Sequence, residues 1–180
     1  MTDFYQKISQ ESGSLEDLAR KMPGFGGYLK RNDRRAADRL LRERLVRVFE
    51  EQLTRFTRLQ RDLVEAGGLR YMERVQSIDT GLRTFIDRVK TASSGYAGAF
   101  DAIKVDEEDI QKLYAFDNAL LTYQDQLIAG LNQLEESIGT DGVAGVLRQL
   151  ESVVADANNT FKRRAEALQT LGTGPLEADE

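Results

Sequence analysis

The sequence predicts an all-α protein: an elongated four-helix bundle of two antiparallel hairpins, preceded by a short N-terminal helix. Three observations predict it. Apolar residues recur at spacings of three and four through four long stretches, the mark of helices with one buried face. Gly67-Gly68 separates the first two stretches and Gly139-Thr140-Asp141-Gly142 the last two, and turns this short make antiparallel neighbours. The chain has 180 residues and only 2 prolines, which suits long uninterrupted helices.

Residues 1–13 form a short opening. Ser14, with Asp17 three residues on, resembles an N-cap. It starts a short helix that carries Leu15, Leu18, Ala19 and Met22 on one face and is ended by Pro23 and Gly24. The first long helix begins between Tyr28 and Asn32 and runs to Ala66. Its stripe is Leu41, Leu45, Val48, Gln52, Phe56, Leu59, Leu63 and Ala66, widened by Leu40, Phe49, Leu53 and Val64. The second runs from Leu69 to Ala92, with Met72, Val75, Ile78, Leu82, Phe85, Ile86 and Val89 on its face. Gly81 inside it either admits a close neighbour or weakens the helix. Residues 93–105 mix Gly with aromatics and form an irregular segment. Asp106-Glu107-Glu108-Asp109 then opens the third helix with acids at its positive end. That helix keeps a heptad through Ile110, Leu113, Asp117, Leu120, Gln124, Leu127, Leu131, Leu134 and Ile138. The fourth carries Val143, Leu147, Leu150, Val154, Ala157, Phe161, Leu168 and Leu171, with Lys162, Arg163 and Arg164 placed late, where cations suit a helix C-terminus. The division is residues 1–27 as short helix and Gly-rich loop, 28–171 as bundle, and 172–180 as a disordered acidic tail.

Composition narrows the chemistry. The chain has 0 cysteines and 0 histidines, so thiolate and imidazole chemistry are both excluded. Di-iron bundles need Glu-x-x-His pairs, so that architecture cannot form, and no catalytic residue, metal or cofactor is expected. Only Asp117, and less clearly Asp79, places an acid within a stripe. The N-terminus lacks a basic and apolar leader, and apolar runs are too short to span a membrane, so the expectation is cytoplasmic. The net charge is −5, unevenly distributed: residues 20–61 carry +8 and residues 101–157 carry −9. Neighbouring helices whose fields offset each other explain this, as does an assembly code that joins copies of the chain into a homo-oligomer.

Two segments depart from helical periodicity. One is Pro23-Gly24-Phe25-Gly26-Gly27-Tyr28 followed by Arg31, Arg34, Arg35, Asp38, Leu41 and Arg42. The other is Tyr96-Ala97-Gly98-Ala99-Phe100-Asp101 followed by Lys104, Val105, Leu113, Tyr114, Phe116 and Asp117. Together these blocks resemble an uncharacterised family of bacterial all-helical proteins. That family has a Pro-Gly-aromatic-x-Gly-Tyr and Arg-Arg block and a later Gly-aromatic-Asp block. The resemblance spans about residues 20–130. It implies a partner at a membrane scaffold, because the genes of such proteins sit beside those of SPFH (band 7) proteins.

The candidate interaction residues are Phe25, Tyr28, Lys30, Arg31, Arg34 and Arg35. With the short helix they resemble an interfacial anchor for an anionic membrane, although Glu16 and Asp17 oppose it. Equally, Phe25 and Tyr28 plug one bundle end, and the arginines clasp acids of residues 101–109. Nucleic-acid binding is not expected, since Asp33, Asp38, Glu43, Glu50 and Glu51 interrupt the basic face. Asp117, Gln52 and Gln124 form a polar seam. A buried carboxylate needs a partner, so Asp117 is expected to pair with an Arg or Tyr and fix helix register. The function expected is protein–protein contact or scaffolding without catalysis. A peripheral membrane bundle anchored by residues 14–35 is the alternative, and a small-molecule sensor or carboxylate-only enzyme the third.

Overall fold

A computed structural model describes residues 21–22, 34–92 and 107–172. The residues expected to form the short N-terminal helix up to Arg20, the Gly-aromatic segments and the tail lie outside the described residues. The fold is all-α. Four long helices pack against one another: α1 (Arg34–Glu65), α2 (Met72–Thr91), α3 (Glu107–Ser137) and α4 (Val143–Gly172). A 3-10 turn, Gly68–Tyr71, leads into α2. The main contacts run α1 to α2, α2 to α4, α4 to α3 and α3 to α1, which closes a ring around one core.

The apolar stripes of all four helices build the core, with Leu41, Leu45, Phe56, Leu59 and Leu63 contributed by α1. Val75, Ile78, Leu82, Phe85, Ile86 and Val89 are buried on α2, and Leu120, Leu127, Leu131 and Leu134 on α3. On α4 the buried set is Val143, Leu147, Leu150, Val154, Ala157, Phe161 and Leu168. Phe85 sits at the centre, 4.2 Å from Phe49 and 5.9 Å edge-on from Phe161 between ring centroids, joining three helices. The stripe of α1 is rotated from its expected place. Phe49 is fully buried and Val48 only half-buried, while Ala66 is exposed in the turn. Spacings of three and four allow either neighbour, and the larger ring takes the core because it removes more apolar surface from water.

Gly81 resolves as a close approach. A Cβ there would stand 2.5 Å from Val154 Cγ1. The Asn158 amide donates to the Gly81 carbonyl at 2.9 Å, and Arg88 Nη1 donates to Asn158 Oδ1 at 3.1 Å. Gly67 and Gly139 both have φ of 82° and close the helices before them, a conformation that favours glycine. The two turns meet. A cavity of about 120 Å³ is lined by Leu63, Gly67, Tyr71, Gly139, Thr140 and Val143 among others, which places both turns at one end.

Basic α1 packs on acidic α3, where Arg55 pairs with Glu135 and donates to Asn132 at 2.7 Å. Asp79 lies outside the seam, half-buried and bonded to Arg83 one turn on at 2.7 Å. From Leu113 to Leu121 every position of α3 except Tyr114 is buried. Ala115, Phe116 and Ala119 pack with Tyr123 and Ala167 outside the main core. A simple stripe leaves that face to solvent, so α3 has neighbours on more than one side here. No helix among the described residues is long and apolar enough to cross a membrane.

Candidate functional site

The end of the bundle opposite the turns holds a network of buried charge. Asp38 lies in the second turn of α1, Asp117 in the third turn of α3, and Arg164 late in α4. Their relative exposures are 6%, 4% and 2%. Arg164 Nε donates to Asp117 Oδ1 at 2.6 Å, and its Nη2 donates to Asp38 Oδ1 at 2.8 Å. Arg42 Nε, one turn beyond Asp38, donates to Asp38 Oδ2 at 2.8 Å. Two carboxylates and two guanidiniums balance, so the network carries no net charge.

Each member sits on the apolar face of its helix. Asp38 precedes Leu41 and Leu45, Asp117 lies between Leu113 and Leu120, and Arg164 lies between Phe161 and Leu168. Charges in such places are costly unless paired with charge-assisted hydrogen bonds. Burial pushes the Asp117 carboxyl above its ordinary value, Arg164 pulls it back, and Asp38 adds to the upward push. Burial also opposes the Arg164 charge, but Asp117 and Asp38 together hold its pKa above the ordinary arginine value. The ion-pair geometry and the four-charge balance keep the arginine ionised.

Thr160, one turn before Arg164, is fully buried. Thr160 Oγ1 and Arg164 Nη1 have no hydrogen-bond partner among the described residues. Lys21 and Met22 dock at the same end. Lys21 Nζ donates to Thr122 Oγ1 at 3.1 Å, and Met22 is buried in the main core cluster. Ala92, which follows α2, packs with Leu113 and Leu168 there too.

The other polar seam residues stand apart from this network. Gln52 and Gln124 are buried, and the side-chain carbonyl oxygen of each lacks a partner among the described residues. Gln124 Nε2 reaches Asp125 Oδ1 at 3.4 Å. Of the interaction candidates, Phe25, Tyr28, Lys30 and Arg31 lie outside the described residues. Arg34 and Arg35 form the first turn of α1, and their side chains also lie outside them. Sequence reasoning assigned Arg164 to the helix C-terminus as a dipole cation, and the structure corrects this. Arg164 is the buried centre of the network, whereas Lys162 is exposed and pairs with Glu166. Asp38, in sequence an interruption of a basic face and part of the Arg-Arg block, has a buried role that neither reading assigns. A signal for both was present. Arg164 continues the series Val143, Leu150, Ala157 at steps of seven, and Asp38 heads the series Leu45, Gln52, Leu59.

Among the described residues no group of three or more His, Cys, Asp or Glu side chains could hold a metal ion. The arrangement can join helices and fix their alignment. No family model, curated protein or solved structure matches this chain.

Proposed function

We propose that this chain is a non-enzymatic helical bundle that works by protein–protein contact, presenting residues 23–33 from one end of a fixed scaffold. One observation carries the reading. Lys21 and Met22 are anchored on the bundle at the network end, and α1 starts at Arg34 at that same end. The described residues on either side of the segment with Phe25, Tyr28, Lys30 and Arg31 are therefore both held beside the ionic network. Its composition of glycine, aromatics and arginine suits contact with a partner. The ring of helix contacts and the shared turn end support the finer architecture of an elongated four-helix bundle of two antiparallel hairpins, α1/α2 and α3/α4; the short N-terminal helix rests on the sequence pattern of residues 14–22. The resemblance noted above suggests a partner at a membrane scaffold of the SPFH class and a bacterial setting, and the sequence expectation of a cytoplasmic chain accords with that reading.

Affinity purification from native cells, with soluble and membrane fractions separated, tests this reading. A specific protein should co-purify with the parent and be lost on Arg34→Glu with Arg35→Glu, while the melting temperature holds. If the doubly substituted protein keeps its partner, Arg34 and Arg35 are not the contact, and if its melting temperature falls, the segment is a structural clasp. If the parent instead co-sediments with anionic liposomes in a salt-sensitive way, the peripheral-membrane reading replaces this one.

A further inference from the structure

The apolar seams repeat with unusual regularity. On α3 they are Leu113, Leu120, Leu127 and Leu134. On α4 they are Leu147, Val154, Phe161 and Leu168, and on α2 Val75, Leu82 and Val89. Each step is seven residues, about 10 Å along a helix axis. A slide of the α1/α2 pair by seven residues along α3/α4 therefore sets most seam residues against apolar residues again, the exception being Gly81, whose place beside Val154 passes to Arg74 or Arg88. Surface pairs resist such a slide weakly, because exposed ion pairs contribute little. Asp38 resists it strongly. Moved inward it enters the apolar layers of Leu45 with Arg42 but without Arg164. Moved outward it leaves Arg164 facing Leu45 instead. Either way a buried charge loses a partner, which disfavours the slid state by roughly a hundredfold or more.

We infer that the Asp38–Arg164 contact is the register lock between the two helix pairs. Asp117 is not, since its bond to Arg164 lies within one pair, α3/α4, whose alignment the turn at 138–142 already fixes. Asp38–Arg164 crosses between pairs, 126 positions apart in the chain, and joins helices that are diagonal in the ring. Arg42 completes the lock by taking the second oxygen of Asp38. The inference stands on packing and holds whether or not residues 23–33 contact a partner.

The test uses the full chain, whose 0 cysteines leave room for two unique labels. Spin labels go on Arg58→Cys in α1 and Lys162→Cys in α4, both exposed and far apart along the axis. Double electron–electron resonance then reads their separation. The parent and Asp117→Leu should each give one distance. Asp38→Leu should add a second population shifted by about 10 Å, the length of one heptad. Asp38→Asn keeps the side-chain shape and an acceptor for Arg164, so it serves if Asp38→Leu fails to fold, and it should show the same second distance at lower population. A single distance in the folded Asp38 variants overturns the inference. It would assign register to the fit of Gly81 on Val154 and Phe85 on Phe161. A second distance in Asp117→Leu would overturn it equally.

Discussion

The two ends of the bundle hold their helices together by different physics. At the turn end, Leu63, Leu134, Val143 and Leu147 are buried beside two glycine turns with left-handed φ. Attraction there is non-directional and grows with the area buried. At the other end, one arginine holds two carboxylates from two other helices at 2.6 and 2.8 Å. Attraction there is directional and fails if one member is lost. An apolar end tolerates sliding and repacking, whereas an ionic end accepts one arrangement. The described residues that flank the two unusual segments, Met22, Arg34, Ala92 and Glu107, belong to the ionic end, where the alignment of three helices is fixed.

The sharpest way to break this contrast is Arg164→Met. It leaves Asp38 and Asp117 buried without their guanidinium and should cost about 3–5 kcal/mol in urea unfolding. Replacing all three charges, with Asp38→Leu and Asp117→Leu added, should recover most of that loss, since an apolar set of similar volume removes the desolvation cost. If the triple variant is no more stable than Arg164→Met, the end is not governed by charge pairing. Asp117→Asn isolates one acceptor and adds a pH signature. Burial raises the folded-state pKa of Asp117, so its contribution is fully present below its unfolded pKa and is lost as pH rises through the folded one. Removing it should make stability fall more steeply on acidification than in the parent.

At the turn end, Leu147→Ala should cost about 2–5 kcal/mol, the lost transfer energy plus the cavity left behind. No second substitution of a partner should rescue it, because no single contact carries the loss. Rescue by one neighbouring change would erase the distinction between the ends.

Midway between them, shape takes over from both. Gly81→Ala places a methyl 2.5 Å from Val154 Cγ1 and should destabilise by about 1–3 kcal/mol despite the better helix propensity of alanine. Gly145→Ala, with nothing within 4 Å of the added methyl, should stabilise by about 0.5–1 kcal/mol. Equal effects at the two glycines would mean that the α2–α4 approach is not tight.

The helices were legible because their faces are long and regular. The buried sets of α2 and α4 follow period 3.6 with few exceptions, and the glycine turns mark their own ends. The carboxylate of Asp117 was legible as a seam residue in need of a partner. The partner was not, because pairing across 47 and 126 positions depends on how helices are arranged, and no local pattern encodes that. Arg164 sat in a run of three cations that reads locally as a solvated helix end. Its place in a seven-residue series was the better guide. Nor did periodicity anticipate the near-complete burial of residues 113–121, since a stripe records one neighbour and α3 has several there.

The smallest expected effect separates buried from exposed charge. Arg55 and Glu135 also link α1 to α3, but their side chains are 21% and 51% exposed, so water and salt screen the pair. Arg55→Ala should cost no more than about 1 kcal/mol, several times less than Arg164→Met. The pH signs of the two regions also oppose each other. A hydrogen bond from Arg55 holds the Glu135 carboxyl below its ordinary value, partly offset by burial. Its contribution is therefore present above the unfolded pKa and is lost as pH falls through the folded one. Glu135→Gln should flatten the acid limb of the stability curve slightly, where Asp117→Asn steepens it. Raising the salt concentration should shrink the Arg55 effect and leave the Arg164 effect nearly unchanged. If salt weakens both alike, Arg164 is reached by water and the ionic end is no better sealed than the surface.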